Sequence, residues 1–576
     1  MIISIYGTSL QDKIIMLALI MLDQNITHLA QNIKNYMSHQ KITASALSSA
    51  SGVSMASVSR ILAGQVNPGI KHISAIAKAL DVTIDDLTKP YEKLKPVSVK
   101  NSDLKAKESL KIKAENDLRA ETDVLASFVL DNTDYTPTQA ARLLANAATG
   151  SWIHSWTQDL VALSDDIQPR PTVAIQTGKK KISVDVAFPE SLFEAGSIVS
   201  LISVITAACT STGARVEDIR IPPVLLRTYL GPGMGVQGLR DRAQKYGRPL
   251  LSATMRPITG LSPRMYGQAV FETLKGGVDI SCDPTLLHHI PSNNWRDRFR
   301  YNADAVADAQ DFSSEIKFHA ANVTAANYET MLERAEFALE QGTHALLIDS
   351  GAVGMAGVQT LGQFCHKNGL LLCALGGRAL HNGPLSQQLV AKLLRFAGAD
   401  VVSVGSPLRG QSAARRNVNG IAHALEGENI EAFPEGHIMF DQPTPSLSPA
   451  WPACGGGHNP WHFPQLLDAF GNNVILQCGG STMGHPWGSL AGATANRVAI
   501  EALVKAKIEG QHLANDGRHV LKQAAKYSPE LKESLTYWQE GSFLFGVINN
   551  TQKDNLSNLV VKDEERKKPD LKPIDS

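Results

Sequence analysis

At 576 residues and 62.1 kDa the chain is too long for one ordinary core at ~150 residues per domain, and its 43% hydrophobic and 19% charged residues exclude global disorder. Lys plus Arg and Asp plus Glu each total 55, so no net field draws the whole molecule to nucleic acid or to an acidic membrane, and any polyanion binding is local. The six cysteines, Cys209, Cys282, Cys365, Cys373, Cys454 and Cys478, contain no C-x-x-C pair, which argues against a disulfide framework or zinc ribbon and predicts free thiols in a reducing cytoplasm.

Near the start, Lys13 precedes an apolar run from Ile14 to Leu22. About nine residues fall far short of the ~20 that span a bilayer. Asp23-Gln24-Asn25 also lacks the small residues of a signal cleavage site, so no membrane association is expected. Met16 and Met21 lie inside the run, which leaves Met21 open as the true start.

From Ile26 to Leu87 apolar residues recur at helical spacing with punctuation between them. The pattern predicts helices over Ile26–Ser38, Ser45–Ser51, Met55–Ala63 and Ile70–Leu80, and a short one from Thr83, with Gly52-Val53-Ser54 as a tight turn and Ser54 as a cap. Two helices joined by such a turn form a helix-turn-helix, whose second helix can enter a major groove. Gly52-Val53-Ser54, the run Ser57 to Gly64, Asn67-Pro68, the run Ile76 to Leu80 and Ile84-Asp85-Asp86-Leu87 resemble the Cro/phage-repressor family. The resemblance implies that Ser54, Met55, Ala56, Ser57 and Arg60 face DNA. The bases Lys34, Lys41, Arg60, Lys71, Lys78 and Lys89 against Asp81, Asp85, Asp86 and Glu92 leave only a modest electrostatic footprint, and a purely dimerising module remains open.

Residues 91–115 read as a Lys/Ser/Glu-rich linker between this domain, 24–90, and a compact α+β domain over 116–230. Strand-like runs there are Val124–Leu130 and Ile182–Val186; helix-like runs are Pro137–Ala148 and Ala195–Thr206. Beyond, short apolar segments alternate with helical ones. The expected strands are Leu250–Met255, Val278–Cys282, Ile316–His319, Ala345–Ile348, Leu370–Leu375, Val401–Val404, Trp451–Cys454 and Val474–Cys478. Between them lie Pro263–Leu274, Arg296–Ala309, Tyr328–Gln341 and Pro384–Phe396, with Ser489–Glu509 after the last strand. This is the arithmetic of a (β/α)8 TIM barrel over 231–545, with an open doubly wound sheet as the alternative, and 546–576 as a polar tail. The fold class is therefore multidomain: all-α helix-turn-helix, then α+β, then barrel.

A barrel's chemistry sits at the C-terminal ends of its strands. Cys454-Gly455-Gly456-Gly457 and Cys478-Gly479-Gly480-Ser481-Thr482 close the last two strands, where glycine backbone either lets N–H groups approach a phosphate or simply makes tight βα turns. Cys282 could be a nucleophile or an inert buried thiol. The adjacent His288 and His289 could bind a metal or simply face solvent. His319 and Asp349 are expected at the ends of the third and fourth strands as polar groups of the pocket.

The stretches from Tyr246 to Leu251, Gly260 to Ser262, Gly276 to Asp279, Trp295 to Phe299, Gly484 to Gly488 and Val216 to Pro222 resemble the RuBisCO large subunit, from about Asp117 to Phe545. The resemblance implies an active site shared between two chains of a homodimer. It also locates departures. The family's carbamylated lysine and its two acidic magnesium ligands fall at Cys282, Pro284 and Thr285, leaving only Asp283, the match of a non-ligand aspartate, so no cofactor is expected and the family Mg²⁺ site is expected to be lost. The family's lysines after the first strand fall at Arg256 and Ile258, its flexible-loop lysine near Leu408-Arg409-Gly410, its neighbouring-subunit glutamate at Asn146, and its phosphate-side histidine at Ser403. Carried over for phosphate are Ser151, Trp152, Gly456, Gly457, Gly479 and Gly480 at one end, and Arg378 in Gly377-Arg378-Ala379-Leu380-His381 at the other.

The sequence thus points to a cytoplasmic RuBisCO-like protein without carboxylase chemistry: a DNA-binding regulator sensing a phosphorylated sugar. The alternative is a metal-independent enolase or isomerase on such a sugar, with Cys282, Asp283, Arg256 or His381 as catalytic candidates, and a structural partner of a genuine RuBisCO subunit is a third reading.

Overall fold

The computed structural model describes residues 29–30, 32–34, 36–37, 42–66, 68–80, 82, 84, 87, 122–131, 134–149, 168–178, 180–376, 383–408 and 412–538. These divide into two units, 1–107 and 108–576.

In the first unit, α1 (Ala44–Ser51), α2 (Met55–Leu62) and α3 (Ile70–Ala79) follow helical residues within 29–37. Local chemistry sets the turn. Gly52 ends α1 at φ 68°, a left-handed conformation that suits glycine, and its N–H reaches Ser48 O. Ser54 then caps α2 by accepting from Ser57 N at 3.3 Å. Leu47, Val53, Val58, Ile61, Ile76 and Leu80 meet in one small core.

In the second unit, β1 (Val124–Asp131), β2 (Arg170–Gly178), β3 (Lys181–Phe188) and β4 (Arg215–Arg220) form an antiparallel sheet in the order β2-β3-β1-β4. The helix expected over Ala195–Thr206 begins at Ile198, capped by Ser197, and runs to Thr212. Strands β2 and β4 were not among the expected elements. Strand β4 carries two buried carboxylates, which read as polar surface until their partners are known. Asp218 accepts from Lys392 Nζ at 2.5 Å, and Glu217 is paired with Arg215 and with His437 at 2.9 Å.

Eight parallel strands follow: β5 (Leu250–Thr254), β6 (Ile280–Cys282), β7 (Phe318–Asn322), β8 (Ala345–Asp349), β9 (Leu371–Leu375), β10 (Val401–Gly405), β11 (Trp451–Gly455) and β12 (Ile475–Gln477). They close on themselves, which settles the choice against an open doubly wound sheet. Side-chain alternation fills the interior with Leu250, Ile280, Phe318, Leu371, Val401 and Trp451, a packed core rather than a pore. The second and fourth members of these strands, such as Leu251, Ala321, Leu346, Leu372 and Val402, turn outward to the helices. All six cysteines are buried free thiols.

The third strand differs from expectation: it begins at Phe318 and ends at Asn322, displaced toward the C-terminal side of Ile316–His319. Lys317 belongs to the rim, donating to Val278 O at 3.2 Å and to Glu315 at 2.9 Å, so the ladder begins at Phe318. Among the described residues no helix is long and apolar enough to cross a membrane.

Candidate functional site

On α2, Val58 and Ile61 are drawn into the core, which leaves Ser54, Met55, Ala56 and Arg60 exposed and Ser57 half-buried. Met55 is 47% exposed, which leaves its side chain available for apolar contact with a base edge. Ser54 Oγ and Ser57 Oγ lie 2.9 Å apart, so the cap also orients the first turn. Ser59, one turn after Met55 and exposed, belongs to the same surface, and the sequence reading omitted it. The helical period of Met55 would have found it. Lys34, Lys71 and Lys78 are exposed on this unit.

At the C-terminal ends of the barrel strands, Cys282 takes the buried-thiol reading of its two alternatives, and Asp283 lies outside the mouth. Cys282 points into the barrel, 2% exposed, with its Sγ 3.3 Å from Ser252 Oγ. Burial pushes its thiol up to about 12, and no cation counters that, so the geometry offers no thiolate. Asp283, the next residue, turns the other way, into the helix layer. There Tyr266 Oη donates to it at 2.8 Å, Arg298 Nε at 3.3 Å and the Asn322 backbone N–H at 3.1 Å, and His319 Nε2 stands at 3.2 Å. Burial alone would raise this carboxyl, but Arg298 and His319 outweigh it and hold it well below the usual carboxylate range. A buried, fully partnered carboxylate outside the barrel interior is a structural hub.

His319 is the second residue of β7 rather than its last, so it does not border the mouth. Its ring is fixed in the helix layer between Ser281 Oγ, 2.8 Å from Nδ1, and Asp283. The strand's actual last residue, Asn322, spans to the loop after β6, donating from Nδ2 to Pro284 O at 3.0 Å and Thr285 O at 3.2 Å. Arg298 donates to His288 O at 3.0 Å and Asn293 O at 3.1 Å, so side chains hold the whole loop. His288 is half-buried and His289 exposed. Among the described residues no three His, Cys, Asp or Glu side chains are grouped to hold a metal ion.

Asp349 does end β8. Its carboxylate caps the next helix, accepting from Gly351 N at 3.0 Å and Ala352 N at 3.2 Å, and Gly376 makes room for it, since a Cβ there would stand 2.6 Å from Oδ1. Arg256 is exposed after β5, whereas Ile258 packs onto the cluster around Tyr266. Ser403 is half-buried in β10, and Asn146 is exposed on the helix Pro137–Thr149.

The glycines form the open part of the mouth. Gly456 and Gly457 follow β11 at φ 142° and 82°, both exposed. Gly479 and Gly480 open the helix Gly479–Met483, so their N–H groups have no intrahelical acceptor. Gly479 is required by close approach, because a Cβ would stand 2.9 Å from Thr254 O, while Gly480 has nothing within 4 Å. Ser151, Trp152, Gly377, Arg378, His381, Arg409 and Gly410 lie outside the described residues.

Residues 235–538 match the family model for the ribulose bisphosphate carboxylase large chain, catalytic domain, and residues 114–225 match its N-terminal domain. Residues 32–93 match the Cro/C1-type HTH DNA-binding domain.

Proposed function

Because the chain belongs to the ribulose bisphosphate carboxylase large-chain family and also carries a Cro/C1-type DNA-binding domain, we propose that it is a DNA-binding regulator whose barrel senses a phosphorylated sugar, without the family's carboxylase chemistry. The observation that carries this reading is the donor set after β6. Mg²⁺ takes hard oxygen ligands, with one or two carboxylates among them. Here a protonated buried thiol at Cys282, a proline at 284 and a neutral hydroxyl at Thr285 occupy the ligand positions, and the Asp283 carboxylate is committed to Arg298, Tyr266 and Asn322. These residues do not fit the family's magnesium.

Phosphate binding asks less of the site than proton abstraction does. Backbone N–H groups at Gly456, Gly457, Gly479 and Gly480, with Ser151 and Trp152, would hold one phosphate, and Arg378 the other. A homodimer would carry two recognition helices and read a two-fold operator. The sugar then shifts DNA affinity by as much as it distinguishes the protein's DNA-competent and DNA-incompetent states.

The test is anisotropy titration of the full chain on DNA selected from a random pool, with and without ribulose bisphosphate, in Mg²⁺ and in chelator. The expected result is sequence-specific binding that Arg60→Ala weakens, and a sugar-dependent change in Kd of about fivefold or more, equal in both buffers. A Kd that ignores phosphorylated sugars overturns the sensor. Turnover of the sugar in chelator replaces it with the enolase- or isomerase-type reading.

A further inference from the structure

We propose that Ser406 and His458 are a nucleophile and its base, acting on an ester carbonyl at the barrel's C-terminal face. The two residues come from adjacent strands: Ser406 follows Gly405 at the end of β10, and His458 follows Gly456-Gly457 after β11. Ser406 Oγ lies 2.7 Å from His458 Nε2, inside the range a hydroxyl needs to pass its proton to an imidazole. The Leu408 backbone N–H donates to the same Oγ at 3.3 Å, which fixes the hydroxyl and directs its own hydrogen at the ring.

Exposure divides the pair usefully. The imidazole is 2% exposed, shielded from bulk water, while Ser406 is half-buried and Gly405, Gly456 and Gly457 are exposed around it. The two glycines precede the base directly, and backbone without a Cβ can bring N–H groups up to a developing oxyanion. This chemistry shares Gly456 and Gly457 with the proposed phosphate site and uses none of the family's metal positions.

In the acylation step the Ser406 Oγ–C bond forms as its proton moves to His458 Nε2, and the carbonyl pair moves onto oxygen. Collapse expels the alcohol, which takes the proton from the imidazolium and leaves acyl-Ser406. Water then attacks with the same base, releasing the acid and restoring the serine.

The full chain is treated with a fluorophosphonate, which phosphonylates an activated serine with loss of fluoride, and separately with p-nitrophenyl acetate. Peptide mapping is expected to place the adduct on Ser406 of native protein, with none on Ser406→Ala. His458→Gln is expected to slow labelling by about 10²–10⁴-fold. Ser406→Ala removes a single oxygen, so an unchanged melting temperature shows that lost labelling is not lost fold. No Ser406 adduct on native protein, or a His458→Gln rate equal to wild type, overturns the pair. Neither result bears on DNA binding, so this proposal and the sensor reading fail separately.

Discussion

The two ends of the barrel are built on opposite principles. Around the N-terminal end of the strands, charge is dense and paired. Arg248 grips Asp279 with two hydrogen bonds of 2.7 and 2.8 Å, Arg497 reaches both Asp279 and Glu315, and Lys245 and Lys317 complete the group. At the C-terminal end the described residues of the mouth include Thr254, Cys282, Thr285, Ser403, Ser406, His458 and glycine, and the Asp349 carboxylate is spent on a helix cap. One end ties strands to helices and needs those charges for the fold. At the other that duty falls to Asp283 with Arg298 and Tyr266 in the helix layer, so the residues of the mouth itself can be exchanged without loss of the barrel.

The contrast is breakable by mutation. Asp279→Ala leaves Arg248 and Arg497 without their buried acceptor and is expected to cost ~3–5 kcal/mol in urea unfolding. Acid gives a smaller effect at the same place. Burial alone would raise the Asp279 carboxyl, but Arg248 and Arg497 outweigh it and hold it at about 2 against an ordinary 3.8. Its stabilisation is therefore full above pH ~4 and lost as pH falls through about 2, roughly 2 kcal/mol that Asp279→Asn removes from the acid limb of the stability curve.

Smaller effects belong to the mouth. Gly480→Ala meets no atom within 4 Å and lies on a short helix, so it is expected to stabilise by ~0.4–1 kcal/mol while weakening phosphate-dependent thermal shifts. Thr285→Ala, at a neutral half-buried hydroxyl, is expected to change stability by no more than ~0.5 kcal/mol in the same melts. A cost at Thr285 comparable to that at Asp279 would end the distinction between the two ends.

Elements whose signal is local were legible. The capped turn Gly52-Val53-Ser54 and, apart from the displaced third strand, the strands of the barrel stand close to where periodicity put them, because glycine, serine and short apolar runs act within a few residues. Strand β4 was not, since Asp218 is paired with Lys392 and Glu217 with His437 as well as Arg215, and the first and second of these partners lie more than 170 positions away. The site divides the same way. That Cys282, Pro284 and Thr285 hold the family's ligand positions is visible in the chain itself. That Asp283 faces away from them is not, because one residue of strand alternation, and a guanidinium fifteen positions on, decide its direction.

By itself the sequence determined the order of units, the barrel's strand count and which chemistry-bearing residue types are present. These follow from composition and from periods of two and 3.6 residues, which are properties of the backbone. Only the tertiary structure decided closure of the sheet, the outward turn of Asp283 and His319, and the meeting of Ser406 with His458. Each of those depends on a contact between distant segments, and a distance between segments exists only once the chain has packed.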